Sequence, residues 1–224
     1  MRRGVYVEAE WDPSDPAGEM AFIEQLRDQY SFPSVAIAQA WLDREDCAPL
    51  LESHAHRDFV RGVRHKPKPG MMDDARWRAG YARLRPLGLH FELQAPWRQL
   101  DEAARLARDF PDITMVLNHA GLPLDPELDG WREAMAPLAA CPNVAVKIAG
   151  LGRVTRKRDV VLAIIDLFGT ERAMFASNFP VDSLCASFDA IYSGFDQITN
   201  GFFEEERRAL FHDNAIRIYR MERP

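Results

Sequence analysis

At 224 residues, 47% of them hydrophobic and 28% charged, the chain carries enough apolar material for one large core. Its net charge of -6 comes without a basic stripe, which argues against a nucleic-acid partner, because phosphate binding needs clustered Lys and Arg. No apolar run approaches the roughly 18 residues of a membrane span, and Met1-Arg2-Arg3-Gly4-Val5 opens no signal-peptide core, so a soluble, cytoplasmic protein is expected.

The first β-rich run is Val5–Ala9 (VYVEA), where Glu8 and Glu10 alternate with Val7 and Ala9. Val35–Leu42 (VAIAQAWL) follows and carries Gln39. Phe59–Arg64 (FVRGVR) then runs into His65 and Lys66. In Leu89–Leu93 (LHFEL) the polar residues His90, Glu92 and Gln94 alternate with Leu89, Phe91 and Leu93, and Trp97 and Arg98 lie just beyond. The next stretch, QLDEAARLARDF, sets Leu100, Ala103, Ala104, Ala107 and Phe110 at helical spacing. Ile113–Leu117 (ITMVL) ends abruptly in Asn118, His119 and, after one alanine, Gly121. Val144–Ile148 (VAVKI) is interrupted by Lys147, and VVLAIIDLF again has helical spacing at Val161, Ile164, Ile165 and Phe168. Ala173–Ala176 (AMFA) leads into Ser177, Asn178 and Asp182. The tail, FFEEERRALFHDNAIRIYRMERP, reads as a closing helix anchored by Phe203, Leu210, Phe211, Ile216, Ile218 and Tyr219.

Strand then helix, repeated, is the pattern of a parallel α/β sheet. A central strand of an open sheet is covered on both faces and tends to be apolar throughout, whereas several of these strands are polar on one parity. In a closed barrel the outward parity meets the helices and the polar parity faces the interior and its upper rim, so a (β/α)8 barrel of the TIM type is favoured. Seven strands are counted where such a barrel has eight, and counted from the C-terminus the first is the one missing. A single domain spanning residues 1–224 is expected, short at its N-terminus. Cys47, Cys141 and Cys185 form no CxxC or Cys/His cluster and read as free, mostly buried thiols.

A barrel gathers the residues at the C-terminal ends of its strands into one mouth, and here these include Arg64, His65, Lys66, Gln94, Trp97, His119, Lys147, Asn178 and Asp182. The phrases GVRHKP, VLNHAGLP, VAVKIAGL, MFASNFPVD and FHDNAIRIY, in this order, resemble the amidohydrolase-related lactonases, the family of 2-pyrone-4,6-dicarboxylate lactonase and the sugar-acid lactonases. The resemblance covers essentially the whole chain. It implies a barrel that hydrolyses cyclic esters of sugar acids or carboxylic acids with an activated water. It also implies a first-strand histidine motif, which has no counterpart here, and a last-strand aspartate, where Asn178 stands instead. Since an amide is neither a base nor a good metal ligand, Asp182 is the nearby carboxylate left for the base.

The expected catalytic set is therefore His119, Asn178, Asp182 and Lys147, with Arg64, His65, Lys66, Gln94 and Trp97 binding substrate. The expected ligand is a small carboxylate or lactone. His119 is the one weak metal candidate, and the expectation is either no cofactor or one loosely held divalent ion such as zinc, because catalytic zinc wants three protein ligands. Two other readings stand beside this one. The first is a metal-dependent hydrolase or decarboxylase of the same superfamily. The second is a non-catalytic shortened barrel, a binding module whose open sheet edge would drive homo-oligomerisation. Structural roles also compete residue by residue: Lys147 as an interior ion pair with Glu92 or Glu8, Trp97 as packing, and Asn178 as a turn former.

Overall fold

The computed structural model describes residues 3–221. Seven strands form one all-parallel sheet in chain order: β1 (Val5–Val7), β2 (Val35–Gln39), β3 (Val60–His65), β4 (His90–Leu93), β5 (Met115–Leu117), β6 (Val144–Ile148) and β7 (Ala173–Phe175). Helices fill the connections: α1 (Gly18–Tyr30), α2 (Cys47–Ala55), α3 (Ala75–Ala82), α4 (Leu100–Asp109), α5 (Leu128–Ala139), α6 (Lys157–Phe168) and α7 (Phe188–Ile198). The sheet curls as an incomplete barrel of the (β/α)8 type. Among the described residues β1 pairs only with β2, and β7 only with β6.

The period-two alternation of each strand divides its side chains between two cores. On the outer side Ala36, Ala38, Val63, Phe91, Leu93, Leu117, Val146 and Ile148 pack against the helices, for example against Leu100, Ala103, Ala104 and Ala107 of α4. On the inner side Val35, Ile37, Val116, Ala145 and Met174 form a smaller cluster. Val5 and Val7 join this inner cluster, and the Tyr6 hydroxyl donates outward to Glu19 of α1 at 2.7 Å. The expected parity of the first strand is thereby corrected: β1 stops at Val7, and Glu8 reaches the interior only because the chain has left the strand.

The tail is not one helix. It breaks into α8 (Glu204–Arg208), a π-helical turn at Ala209–Asp213 and α9 (Asn214–Ile218). The break lets the end of the chain turn in towards the sheet, where Ile216, Tyr219 and Met221 complete the inner cluster. Asn214, buried, fixes this segment by donating to the carbonyls of Thr170 at 2.6 Å and Ala173 at 2.8 Å. Of the thiols, Cys47 and Cys141 are buried and Cys185 is exposed. No helix among the described residues is long and apolar enough to cross a membrane.

Candidate active site

The C-terminal ends of β1 to β3 frame a cleft of ≈ 340 Å³ whose walls include Glu8, Gln39, Trp41, Arg64, His65 and Lys66. Register makes Arg64 the link between strands: it is level with Gln39 on β2 and Glu92 on β4. Its Nε donates to Glu8 Oε1 at 2.5 Å, its Nη2 to the Glu8 carbonyl at 2.5 Å and its Nη1 to Gln94 Oε1 at 3.1 Å. The Glu8 carboxylate is buried, and this fork is its charge partner. Lys66 pairs with Glu10 at 2.8 Å, but both side chains are substantially exposed. Such a pair is weak and exchangeable, so Lys66 is the cation most readily surrendered to an incoming anion.

His65 follows Arg64 by one residue and so turns to the opposite face of β3. Its Nδ1 accepts from the indole Nε1 of Trp77 at 3.0 Å and from the Leu42 amide at 3.3 Å, tying the strand to α3. With Nδ1 accepting, the ring proton sits on Nε2. Trp97 likewise sits in the helix layer, its ring under Arg98 and against Gly130 of α5, and it takes no part in the cleft.

Below the mouth lies a fully buried ionic centre. Glu92 Oε2 accepts from Lys147 Nζ at 2.7 Å, and Oε1 accepts from the Tyr219 hydroxyl at 2.6 Å, with His90 Nε2 at 3.5 Å. Burial alone would push the Glu92 carboxyl up, but Lys147 and His90 hold it down at about 2. Burial raises the Tyr219 hydroxyl, which therefore stays protonated and remains a donor. Lys147 thus makes one of the two pairs considered from sequence, and Tyr219 is a partner that sequence reasoning did not supply.

His119 stands where β5 ends. The chain there adopts left-handed backbone, with φ of 53° at His119 and 54° at Ala120, a conformation uncommon for residues with a Cβ and concentrated at functional sites. The turn is held from outside by Trp131 of α5, whose Nε1 donates to the Ala120 carbonyl at 2.7 Å. Across it lies Gly150, just past β6, with φ of 68°; a Cβ there would come within 2.9 Å of His119 Cβ, Cγ and Nδ1. The glycine lets the ring pack flush against the next strand's end. His119 Nδ1 is buried without a hydrogen-bond partner. Burial, then the fields of Lys147 and Arg64, push its pKa down to about 4, so the ring is neutral at pH 7.

Asn178 also has left-handed backbone, φ 52°, and its Nδ2 donates to Asp182 Oδ1 at 2.9 Å. Asp182 borders a separate small cavity with Gly150, Gly152 and Cys185. Two groupings emerge: Arg64, His65 and Lys66 line the cleft with Glu8 and Glu10, Gln94 being held beside it by Arg64, while Asn178 and Asp182 bind each other beyond the turn at 150–152. The fields of Arg64, Lys66 and Lys147 all reach His119.

His54, whose Nε2 lies 3.0 Å from the Gln39 carbonyl, and His65 are pushed down to about 4 by burial, as His119 is. An unfolded histidine titrates near 6.5, so the unfolded chain takes up protons first as pH falls. The stability these neutral rings contribute is complete above that value and is lost as pH drops from about 6.5 through 4, on the order of 3 kcal/mol per ring at the lower limit. Glu92 acts in the same direction at still lower pH. Urea midpoints should therefore fall steeply between pH 7 and 4.5; a flat midpoint over that range would contradict the burial of these rings.

The amidohydrolase family model matches residues 2–221. The chain belongs to the amidohydrolase family. This amidohydrolase is 39% identical to a Sinorhizobium fredii protein, "Uncharacterized protein y4mH", over 98% of its own length and 80% of that protein's. It is 30% identical to an L-fucono-1,5-lactonase of Burkholderia multivorans over 74% of this chain and 64% of that enzyme. Among solved structures, an amidohydrolase from Burkholderia multivorans with bound zinc superposes with a TM-score of 0.87 at 26% identity, covering 97% of this chain and 83% of that one.

The described residues do not themselves make such a zinc site. No three His, Cys, Asp or Glu side chains among them converge to hold an ion, and the Asn178 amide is bonded to Asp182. A catalytic zinc needs about three protein ligands.

Proposed function

We propose that this amidohydrolase opens the ring ester of a sugar-acid lactone. The observation that carries the reading is the neutral, half-buried imidazole of His119, set by a left-handed turn at the end of β5 within the field of Arg64, Lys66 and Lys147. Lactone hydrolysis adds water to a carbonyl, builds negative charge on its oxygen and releases the ring oxygen as a hydroxyl. A neutral imidazole accepts the proton of the attacking water. The bond from ring oxygen to acyl carbon then breaks, and the same proton passes to the departing oxygen, leaving a hydroxy acid. The positive charges that depress the imidazole pKa are also the ones that favour the developing oxyanion, so the site gains in charge stabilisation what it loses in basicity.

Nδ1 is packed against Gly150, which leaves Nε2 for the water. Lys66, in its exposed and weak pair, and Gln94 suit the hydroxyl and carboxyl-level oxygens of a sugar acid. Support for a sugar-acid substrate over other lactones comes from the L-fucono-1,5-lactonase relative. The test is a panel of aldonolactones and pyrone carboxylates, followed by acid release in weak buffer, with and without chelator to report whether a metal joins the site. Saturable ring opening of an aldonolactone is expected. Failure to hydrolyse every lactone above the spontaneous rate would overturn the reading.

A further inference from the structure

At the opposite end of the sheet, where β4 to β6 begin and the C-terminal segment passes beneath them, lies a second cleft of ≈ 350 Å³. Its walls include Arg85, His90, Asp112, Arg172, Arg217 and Arg220. Arg85 has a carboxylate partner, Asp112, at 3.1 Å. The other three guanidiniums are bonded to uncharged oxygens: Arg172 to the carbonyls of Ala139 at 2.8 Å and of Cys141 and Val144 at 3.0 Å, Arg217 to the Glu171 carbonyl and the Asn214 side chain, and Arg220 to the Arg61 carbonyl at 3.1 Å. No carboxylate among the described residues lies within ion-pair distance of these three. A carbonyl orients a guanidinium without neutralising it, and each keeps N–H groups to spare. Among the described residues, three guanidiniums without a carboxylate partner thus share one concavity in a protein of net charge -6.

A second observation points to the same place. His90, 4% exposed, lines this cleft, and its Nδ1 has no hydrogen-bond partner, although its Nε2 lies 3.5 Å from Glu92. Buried ring nitrogens are rarely left so.

We propose that this basal cleft is a second binding site, for a compact polyanion carrying two or more carboxylate or phosphate groups. Guanidinium forks match the paired oxygens of both groups. A volume near the lower end of the roughly 300–1,000 Å³ of small-molecule sites suits a molecule of a few carbons better than a bare inorganic ion. None of the three arginines belongs to the mouth, so the proposal stands or falls independently of the lactone reading.

Isothermal titration of the 224-residue chain with citrate, and separately with inorganic phosphate, at fixed ionic strength tests it. A saturable class of citrate sites is expected that is weakened at least tenfold in the Arg217→Gln/Arg220→Gln variant and persists in Lys66→Gln, which removes a cation of the mouth and affects only whatever citrate binds there. Arg217 and Arg220 are exposed, so an unchanged melting temperature verifies the fold of that variant. Phosphate binding tighter than citrate, with the same dependence on the two arginines, would support the site with a phosphoryl group as its ligand. Absence of saturable binding by either anion, or citrate binding lost in Lys66→Gln and kept in the double variant, would overturn it.

Discussion

Replacing His119 by asparagine is expected to lower kcat for lactone opening by roughly 10²- to 10⁴-fold, the range a positioned general base contributes. Asparagine is the informative choice because the backbone at 119 is left-handed, φ 53°, and Asn tolerates that region better than most residues with a Cβ. It keeps a polar side chain beside Gly150 and removes the proton acceptor. The melting temperature should stay close to that of the unaltered protein. A large drop, with whatever activity remains, would make the imidazole a packing element of the β5 terminus and remove it from the chemistry.

The largest effect on stability is expected at Lys147. Lys147→Met leaves the Glu92 carboxylate fully buried with the Tyr219 hydroxyl as its remaining hydrogen-bond donor among the described residues, and removal of one member of a buried ion pair costs about 3–5 kcal/mol. Adding Glu92→Gln should recover most of that loss: the neutral amide oxygen still accepts from the Tyr219 hydroxyl, and no unpaired charge remains inside the sheet. Urea unfolding of the single and double variants measures both numbers. If the double variant were as unstable as Lys147→Met, the lysine would act through its aliphatic stem and not through charge.

Much of this arrangement was legible in the sequence, and what was not has physical reasons. All seven strands are present, because β-branched and aromatic runs bounded by helical spacing mark each of them, and the alternation of His90, Glu92 and Gln94 gave the inward face of β4. The same rule applied to the first run assigned the wrong parity, since Val5–Val7 is too short a strand for the following glutamates to share its pleat. Arg64, His65 and Lys66 look alike as a basic block, yet period-two geometry sends the middle one to Trp77. Trp97 follows a strand end closely but is turned into the helix layer by the 3₁₀ turn it begins.

The long-range partners left no local trace. Tyr219 is 127 residues from Glu92 and arrives only because the tail breaks at its π-helical turn. Gly150 carried one signal, a glycine just past the end of VAVKI, but its purpose is visible only once the imidazole lies against it.

The most direct measurement is the pH dependence of kcat/KM for the aldonolactone turned over best, in the unaltered protein and in His119→Asn. An acid limb falling through a pKa of about 4 in the unaltered protein, absent from the residual activity of the variant, is the predicted result. An acid limb that persists unchanged in the variant would contradict the assignment of the water's proton to His119.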